Sequence, residues 1–163
     1  MLARLNKKGI QIEKVTLHVS LGTFQPITTE VVEDFKIHGE YFEITTETVK
    51  RLNQAKKENR RIIAVGTTSV RVIESAIVKK KKEVLIGNNQ RLKAVSGETS
   101  IYIYPGYNFL FVDGIITNFH LPKSSLLLLV SAFAGTENIK KAYQHAIKEK
   151  YRFYSYGDGM IIV

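Results

Sequence analysis

The sequence contains no cysteine among its 163 residues, which excludes disulfide bonds and thiolate-bound metal ions. It also lacks a long apolar run. The longest, from Leu126 to Val130, is far shorter than the roughly 20 residues that cross a bilayer, and the first residues lack the apolar segment of a signal peptide. No repeat or low-complexity linker is present. These absences predict a cytoplasmic protein with no membrane partner.

Acidic residues are scarce, with 15 Asp and Glu against 24 Lys and Arg, so the formal net charge is +9. Such an excess favours a polyanionic partner, nucleic acid first, although a basic surface also serves solubility alone. The apolar fraction of 44% is enough for a core. The length predicts a single domain over residues 1–163.

The most informative stretch is a short apolar run that ends at a glycine and continues as a helix. Residues 62–65 are typical of a strand buried on both faces, and after Gly66 the apolar residues recur with a helical period. Thr67, Thr68 and Ser69 are predicted to cap this helix and leave its first N–H groups free for a carboxylate or phosphate. The alternative is an ordinary capped turn, because the segment lacks both the nucleotide-binding lysine pattern and the three-glycine dinucleotide pattern.

The rest of the chain alternates strand and helix patterns, which predicts an α/β protein. Helices are expected at 1–8, 46–59, from Ser124 or Ser125 to Ala134, and from Thr136 onward, the last with Ile139, Ala142, Tyr143, Ala146 and Ile147 facing the core. The first helix is too short to stand alone, which suggests that the chain begins inside a larger architecture or that more sequence once preceded it. Strands are expected at 10–19, 37–44, 84–86, 101–104, and at 109–112 and 115–116 around a turn at Asp113 and Gly114.

Two polar clusters are candidates for chemistry. His38 and Glu40 lie two residues apart in a predicted strand, so they share a face and are close enough to share a proton; the alternative is a surface ion pair. Residues 117–120 place Thr, Asn and His between apolar stretches, which requires a hydrogen-bond network or a ligand.

Basic residues fall into clusters that suit phosphate contacts or plain solvation. Arg60 and Arg61 follow the second helix, and Lys79–Lys82 follow the third. Arg152 lies among aromatic residues, a pattern that stacks bases in some proteins and forms core in others.

Six blocks, taken in order, resemble one known family. The blocks are His18-Val19-Ser20-Leu21-Gly22-Thr23-Phe24, His38-Gly39-Glu40-Tyr41, Ala64 to Arg71 with Glu74-Ser75, Tyr104-Pro105-Gly106-Tyr107, Thr117 to Pro122, and Tyr151-Arg152-Phe153 with Ser155 to Asp158. With these blocks in this order, the chain is similar over nearly all of its length to the C-terminal half of S-adenosylmethionine:tRNA ribosyltransferase-isomerase, of queuosine biosynthesis.

The resemblance implies a layered α/β sandwich with a mixed central sheet flanked by helices, part of the family's large domain, without the β-barrel insert of its N-terminal half. It implies transfer of the ribosyl group of S-adenosylmethionine to 7-aminomethyl-7-deazaguanine at the tRNA wobble position, giving epoxyqueuosine. S-adenosylmethionine is then a substrate, with no permanently bound cofactor and no metal. The partners are that tRNA and a missing N-terminal half. The alternative is a non-catalytic, basic RNA-binding half of the enzyme.

The resemblance also implies roles for particular residues. The sequence departs from the family pattern at Phe35, where a histidine is usual, at Ser20, where a glycine is usual, and at Gly159, where an alanine is usual. The Phe35 change leaves His38 and Glu40 as the better catalytic candidates of their block. The predicted catalytic residues are His38, Glu40 and His120; those for S-adenosylmethionine are Gly66, Thr67, Thr68, Ser69, Arg71, Glu74, Asn118 and Asp158; and those for tRNA are Arg60, Arg61, Lys80, Lys81 and Arg152.

Arg71 is expected to bind the methionine carboxylate with its guanidinium. The alternative is that Arg71 only pairs with Glu74 along an exposed face of the helix. Glu74, Asp158, Tyr104 and Phe119 are expected to offer carboxylate and aromatic faces to the sulfonium and adenine groups.

Overall fold

The computed structural model describes residues 1–20, 26–77, 91–92 and 95–163, the side chain of residue 95 excepted. In these ranges no helix is long and apolar enough to cross a membrane. The helices are α1 (Leu2–Lys7), α2 (Thr46–Lys57), α3 (Thr67–Ser75), α4 (Ser125–Ala134) and α5 (Thr136–Lys148), with one 3-10 turn at Val32–Asp34. The strands are β1 (Thr16–Leu17), β2 (Glu40–Ile44), β3 (Ile63–Val65), β4 (Val95–Thr99), β5 (Gly114–Asn118) and β6 (Gly159–Ile162).

The strands of the described residues form two three-stranded sheets. The first has the order β1-β2-β4 and is antiparallel throughout. The second has the order β3-β5-β6, in which β3 and β5 are parallel while β5 and β6 are antiparallel. The α/β class is therefore confirmed, and its strands are divided between an antiparallel and a mixed sheet rather than gathered in one central sheet.

Helix α3 lies at the centre of the molecule. It contacts strands of both sheets, and Val70, Val72 and Ile73 are all buried. The core cluster that surrounds it combines Phe42 and Ile44 of β2 with buried residues of the second sheet. Six of the nine residues of α3 are buried, so contacts with both sheets set the position of this helix.

Several predicted elements are confirmed. Helix α2 begins where its pattern indicates, although the capping residue is Thr45, whose hydroxyl accepts from the Thr48 N–H at 3.2 Å. Helix α4 is capped by Ser124, which accepts from the Leu127 N–H, and ends at Gly135. Helix α1 is also present, but none of its residues is buried. The order of β3 and α3 around Gly66 is as predicted.

The predicted hairpin around Asp113 and Gly114 is wrong. Strand β5 starts at Gly114 and pairs in parallel with β3. The preceding residues cannot complete a ladder, because the N–H groups of residues 110–112 donate to the carboxylate of Glu74. The Glu74 carboxylate, which only tertiary folding brings close, thus takes the N–H groups that the local pattern assigned to a neighbouring strand.

Other predicted elements also changed. Residues 101–104 are irregular, and the strand that pairs with β2 is β4 instead. The strand expected at 10–19 is reduced to β1, and that expected at 84–86 lies outside the described residues. On α5, Ile147 was expected to face the core, but it is 66% exposed. The last apolar residues form β6, a strand that the sequence pattern did not indicate.

Candidate functional site

A cavity of about 390 Å³ opens where the parallel strands β3 and β5 end. In open α/β sheets ligands characteristically bind outside the carboxyl ends of parallel strands, because loops and helix starts meet there. Its walls come from five segments of the described chain. They are Val19-Ser20, Gly66-Thr67-Thr68 at the start of α3, residues 117–121 after β5, Ser124 and Leu126 at the start of α4, and Tyr154-Ser155.

The first turn of α3 forms one wall. Gly66 is the N-cap residue, with φ of 85°, and no side chain caps this helix. The prediction that Thr67 to Ser69 provide the cap is therefore wrong; the Ser69 hydroxyl instead donates to the Val65 carbonyl at 2.7 Å. A Cβ added at Gly66 would meet nothing within 4 Å. The N–H groups of Thr67 and Thr68 have no carbonyl of their own helix to bond to, and both residues line the cavity.

His120 forms the opposite wall. Its Nε2 is 3.0 Å from the Thr117 hydroxyl, and its backbone N–H donates to the Tyr143 hydroxyl at 2.7 Å. Burial lowers the pKa of His120 to about 4. The imidazole is therefore neutral at pH 7, able to accept a proton or to donate one hydrogen bond.

The segment 151–158 forms a third side of the cavity and is held in place by two kinds of contact. The Tyr154 N–H donates to the Phe119 carbonyl at 2.9 Å, and the Phe119 ring packs against those of Tyr143 and Phe153. The Asn118 amide donates to the carbonyls of residues 157 and 158, both at 3.4 Å.

Asp158 and Arg152 bind each other rather than the cavity. Asp158 accepts from the Arg152 backbone N–H at 2.8 Å and from its guanidinium at 3.1 Å. These bonds from Arg152 hold the pKa of Asp158 below its usual range. Asp158, predicted for S-adenosylmethionine, is thus committed to shaping the loop that carries Tyr154 and Ser155.

Arg71 does not line the cavity. It is buried in an ion pair with Glu40, from β2 in the other sheet, so it is not paired with Glu74 along an exposed face. The second carboxylate oxygen of Glu40 accepts from the Ser20 N–H at 2.7 Å, and Ser20 is part of the cavity wall. Glu40 therefore connects Arg71 of α3 to Ser20 of the cavity wall.

Glu74 is likewise inside the protein. Its carboxylate accepts hydrogen bonds from the N–H groups of residues 110, 111 and 112 at 2.9–3.1 Å, and from the Tyr107 hydroxyl at 3.2 Å. Four donors on one buried carboxylate satisfy its oxygens. Glu74 therefore joins α3 to the segment before β5 and is not brought to the cavity.

The remaining predicted residues lie elsewhere. His38 is exposed just before β2, whereas Glu40, two residues on, is buried. Arg60 and Arg61 are exposed after α2, beside a separate cavity of about 200 Å³. Lys80 and Lys81 lie outside the described residues. In the part of the chain that the structure describes, no three His, Cys, Asp or Glu side chains are grouped to hold a metal ion.

Sequence reasoning did not single out Ser20, Ser124, Tyr154 or Ser155 as site residues, yet all four line the cavity. Ser124 was recognisable only as a helix cap, and its hydroxyl also donates to the Leu121 carbonyl at 2.7 Å. Ser20 and Ser155 belong to two of the six family blocks, which was the available signal, whereas Tyr154 lies between the two parts of the last block.

The family model of the queuosine biosynthesis protein matches residues 1–162. The S-adenosylmethionine:tRNA ribosyltransferase-isomerases of Halothermothrix orenii and Treponema denticola are each 53% identical over 163 residues, covering 100% of this chain and 45% of each relative. A crystal structure of S-adenosylmethionine tRNA ribosyltransferase from Thermotoga maritima is similar with a TM-score of 0.75 and 37% identity, over 99% of this chain and 48% of that one. The chain thus spans about half the length of the curated relatives it matches.

Proposed function

The chain belongs to the queuosine biosynthesis protein family, and we propose that it carries the S-adenosylmethionine site of a tRNA ribosyltransferase-isomerase. The reaction moves the ribosyl group of S-adenosylmethionine to 7-aminomethyl-7-deazaguanine at the tRNA wobble position, gives epoxyqueuosine, and releases adenine and methionine. The supporting observation is the cavity in which Gly66, Thr67, Thr68, Asn118 and His120 converge. Its volume of about 390 Å³ falls within the usual range of small-molecule sites.

The methionine carboxylate binds at the first turn of α3. The Thr67 and Thr68 N–H groups and the positive end of the helix dipole favour an anion there. Gly66 adds no side chain that would occupy the space. Arg71 supports this turn from behind, since its guanidinium is engaged by Glu40.

His120 is the proton-transfer group of the cavity. The attacking amine must be neutral, and a proton next to the sulfonium must leave, so a base is required. The neutral imidazole of His120 bonds to the Thr117 hydroxyl, and its backbone is held by Tyr143, so it is the candidate for this base. Glu40 acts as a positioning residue through Ser20, and His38 remains a second catalytic candidate, exposed outside the cavity.

Tyr154 lines the cavity and is 52% exposed, and its ring supplies the aromatic surface for the sulfonium and adenine groups. The Phe119 ring is buried against those of Tyr143 and Phe153. The tRNA backbone is bound by basic residues of this chain. Arg60 and Arg61 are exposed, and Lys80, Lys81 and Arg152 complete the set by sequence.

A second candidate function is a non-catalytic RNA-binding half of this enzyme. The observation that favours it is length, because the chain covers only 45% of the relatives. The net charge of +9 suits RNA binding in either case. Binding of S-adenosylmethionine by this chain separates the two functions.

Calorimetric titration of the chain with S-adenosylmethionine tests the proposal. We expect saturable binding that weakens about tenfold in Thr67→Pro, which removes one of the two N–H donors at the first helical position, because a hydrogen bond to a charged ligand group is worth about 1.5 kcal/mol. Thr46→Pro makes the same change at the first position of α2, away from the cavity, and is expected to bind as the wild type does. No binding by the wild-type chain supports the RNA-binding alternative.

A further inference from the structure

The second sheet presents an uncovered apolar face. Val65, Ile116 and Ile161 are direct neighbours in register across β3, β5 and β6, and they are 68%, 36% and 69% exposed. Because residues in register point to the same side of a sheet, they form one continuous row. Val163, next but one after Ile161, is 79% exposed on the same side. We call Val65, Ile116, Ile161 and Val163 the outer face.

The opposite face of the same strands is covered by the protein core. Ala64 and Ile115, the alternate residues of β3 and β5, are 2% and 0% exposed. Strands of parallel and mixed α/β sheets are normally apolar on both sides because both sides are covered. The apolar residues of β3 and β5 are therefore typical of a sheet that is covered on both faces, but the described residues cover only one of them.

The outer face offers an uninterrupted apolar surface on which another polypeptide can pack. At Gly114 an added Cβ would lie 2.7 Å from the Ile63 side chain and 3.2 Å from that of Val163, so the two aliphatic side chains close over the glycine. None of the outer-face residues is charged. Despite the net charge of +9, this surface therefore suits an apolar protein surface and not a nucleic-acid backbone.

The outer face leads to the cavity. Along β5 the side that carries Ile116 continues to Asn118, and β3 continues from Val65 to Gly66; both Asn118 and Gly66 line the cavity. A partner packed on the outer face thus reaches the rim of the proposed S-adenosylmethionine site.

We infer that the outer face binds the N-terminal part of the family fold, the portion of the relatives that this chain does not match. The curated relatives are about twice as long and match this chain over 45% of their length, so more than half of their fold is available to cover this sheet. The inference rests on family membership and on the exposure of the sheet, and not on the reaction proposed above.

The test combines this chain with a separately expressed polypeptide, the part of the Halothermothrix orenii relative that precedes its match to this chain. We expect a one-to-one complex by light scattering after gel filtration. Val65→Thr/Ile161→Thr should weaken the complex at least tenfold, with an unchanged circular dichroism spectrum, since both positions are exposed. Ile147→Thr is the matched control, because Ile147 is 66% exposed on α5, and it should bind as the wild type does.

A second measurement uses the absence of cysteine in this chain. Ile161→Cys should react rapidly with a thiol reagent in the chain alone and be protected in the complex, whereas Ile147→Cys should react equally in both. The inference is overturned if no complex forms, if the double Thr variant binds with wild-type affinity, or if Ile161→Cys stays reactive. A homodimer that the double variant abolishes would assign the face to a second copy instead. All measurements are made without S-adenosylmethionine or tRNA, so their outcome is independent of the reaction.

Discussion

His120 combines a position on the cavity wall with a buried environment. Its ring bonds to the Thr117 hydroxyl, and its backbone N–H to the Tyr143 hydroxyl. Both partners are uncharged, so nothing offsets the cost of burying an imidazolium. The site therefore holds a neutral histidine, and its protonation should change the free energy of unfolding.

His120 should make the protein acid-sensitive between pH 6.5 and about 4. Its folded-state pKa of about 4 lies below the ordinary 6.5, so in this window the unfolded chain binds a proton that the folded chain does not. The free energy of unfolding is thus fully retained above pH 6.5 and falls as the pH drops towards 4. We expect His120→Gln to flatten this part of the curve in urea unfolding from pH 4 to 7.5.

The control for this prediction is His145→Gln, which changes an exposed histidine of α5 and should keep the wild-type curve. If His120→Gln retains the full wild-type decline below pH 6.5, the buried, neutral His120 is not its source.

We expect Glu40, which the family resemblance marks as a catalytic candidate, to contribute strongly to folding stability. Removing one member of a buried ion pair leaves the other charge without its partner, at a cost of about 3 kcal/mol or more. We therefore expect Glu40→Gln to lower the free energy of unfolding by about 3 kcal/mol in urea titrations. Glu43→Gln changes an exposed residue of the same strand and should cost less than about 0.5 kcal/mol. Equal effects of the two substitutions would contradict a structural role for Glu40.

At the scale of elements, α3 connects the site to the rest of the fold. Arg71 ties it to β2 and Glu74 to the segment before β5, while its first turn faces the cavity. Two buried charged residues on one short helix fix its rotation as well as its position, because Arg71 binds Glu40 in β2 and Glu74 binds the N–H groups before β5. This is how a loop-to-helix junction is held rigidly enough to present N–H groups to a ligand.

Gly66→Ala tests the junction between β3 and α3. A Cβ has free space there, but φ of 85° is a backbone conformation that costs L-residues roughly 1–2 kcal/mol. We expect a loss of about 1–2 kcal/mol in unfolding free energy, with weaker S-adenosylmethionine binding by calorimetry. Gly97→Ala, in β4, also meets nothing within 4 Å and has no positive φ, so it should be nearly neutral in both assays. Unchanged ligand affinity in Gly66→Ala would exclude this turn as the anion site.

At the scale of the whole molecule, the net charge of +9 predicts tRNA binding that depends strongly on salt. Phosphate contacts release counterions, so the logarithm of the affinity should fall linearly with the logarithm of salt concentration. Arg60→Gln/Arg61→Gln should reduce the slope by up to about 2 in filter-binding titrations. Lys140→Gln/Lys141→Gln removes the same charge from exposed positions of α5 and should leave the slope unchanged. An affinity independent of salt would refute electrostatic binding.

The length of the chain leads to a prediction about turnover. The curated relatives are about twice as long as the match, and a ribosyl-transfer site of this family is expected to draw on both halves. We expect no epoxyqueuosine in tRNA incubated with this chain and S-adenosylmethionine alone, as judged by nucleoside mass spectrometry. The complete Halothermothrix orenii relative is the positive control, and product formed by this chain alone would contradict the prediction.

Local sequence determined those elements whose signals are short-range. The helical periods and capping residues of α2 and α4 were enough to place them, and the change of period at Gly66 was enough to place β3 and α3. The six family blocks likewise identified the family, which the matches confirm, because ordered blocks carry information that single residues do not. The polar cluster at residues 117–120 could also be recognised from the sequence.

Tertiary structure alone decided which of the polar residues reach the cavity. Glu40, Arg71 and Glu74 have the same chemistry in the sequence whether they face solvent, ligand or core. The bonds described for them reach partners that are 20 or more residues away along the chain. Burial then determined the outcome, because a carboxylate or guanidinium inside the protein must take the nearest partner of opposite polarity. Three other features also depended on distant segments. The strand at 95–99 and the absence of a hairpin at Asp113 depend on which segment supplies the hydrogen-bond partner. The exposure of the outer face depends on which segment packs against it.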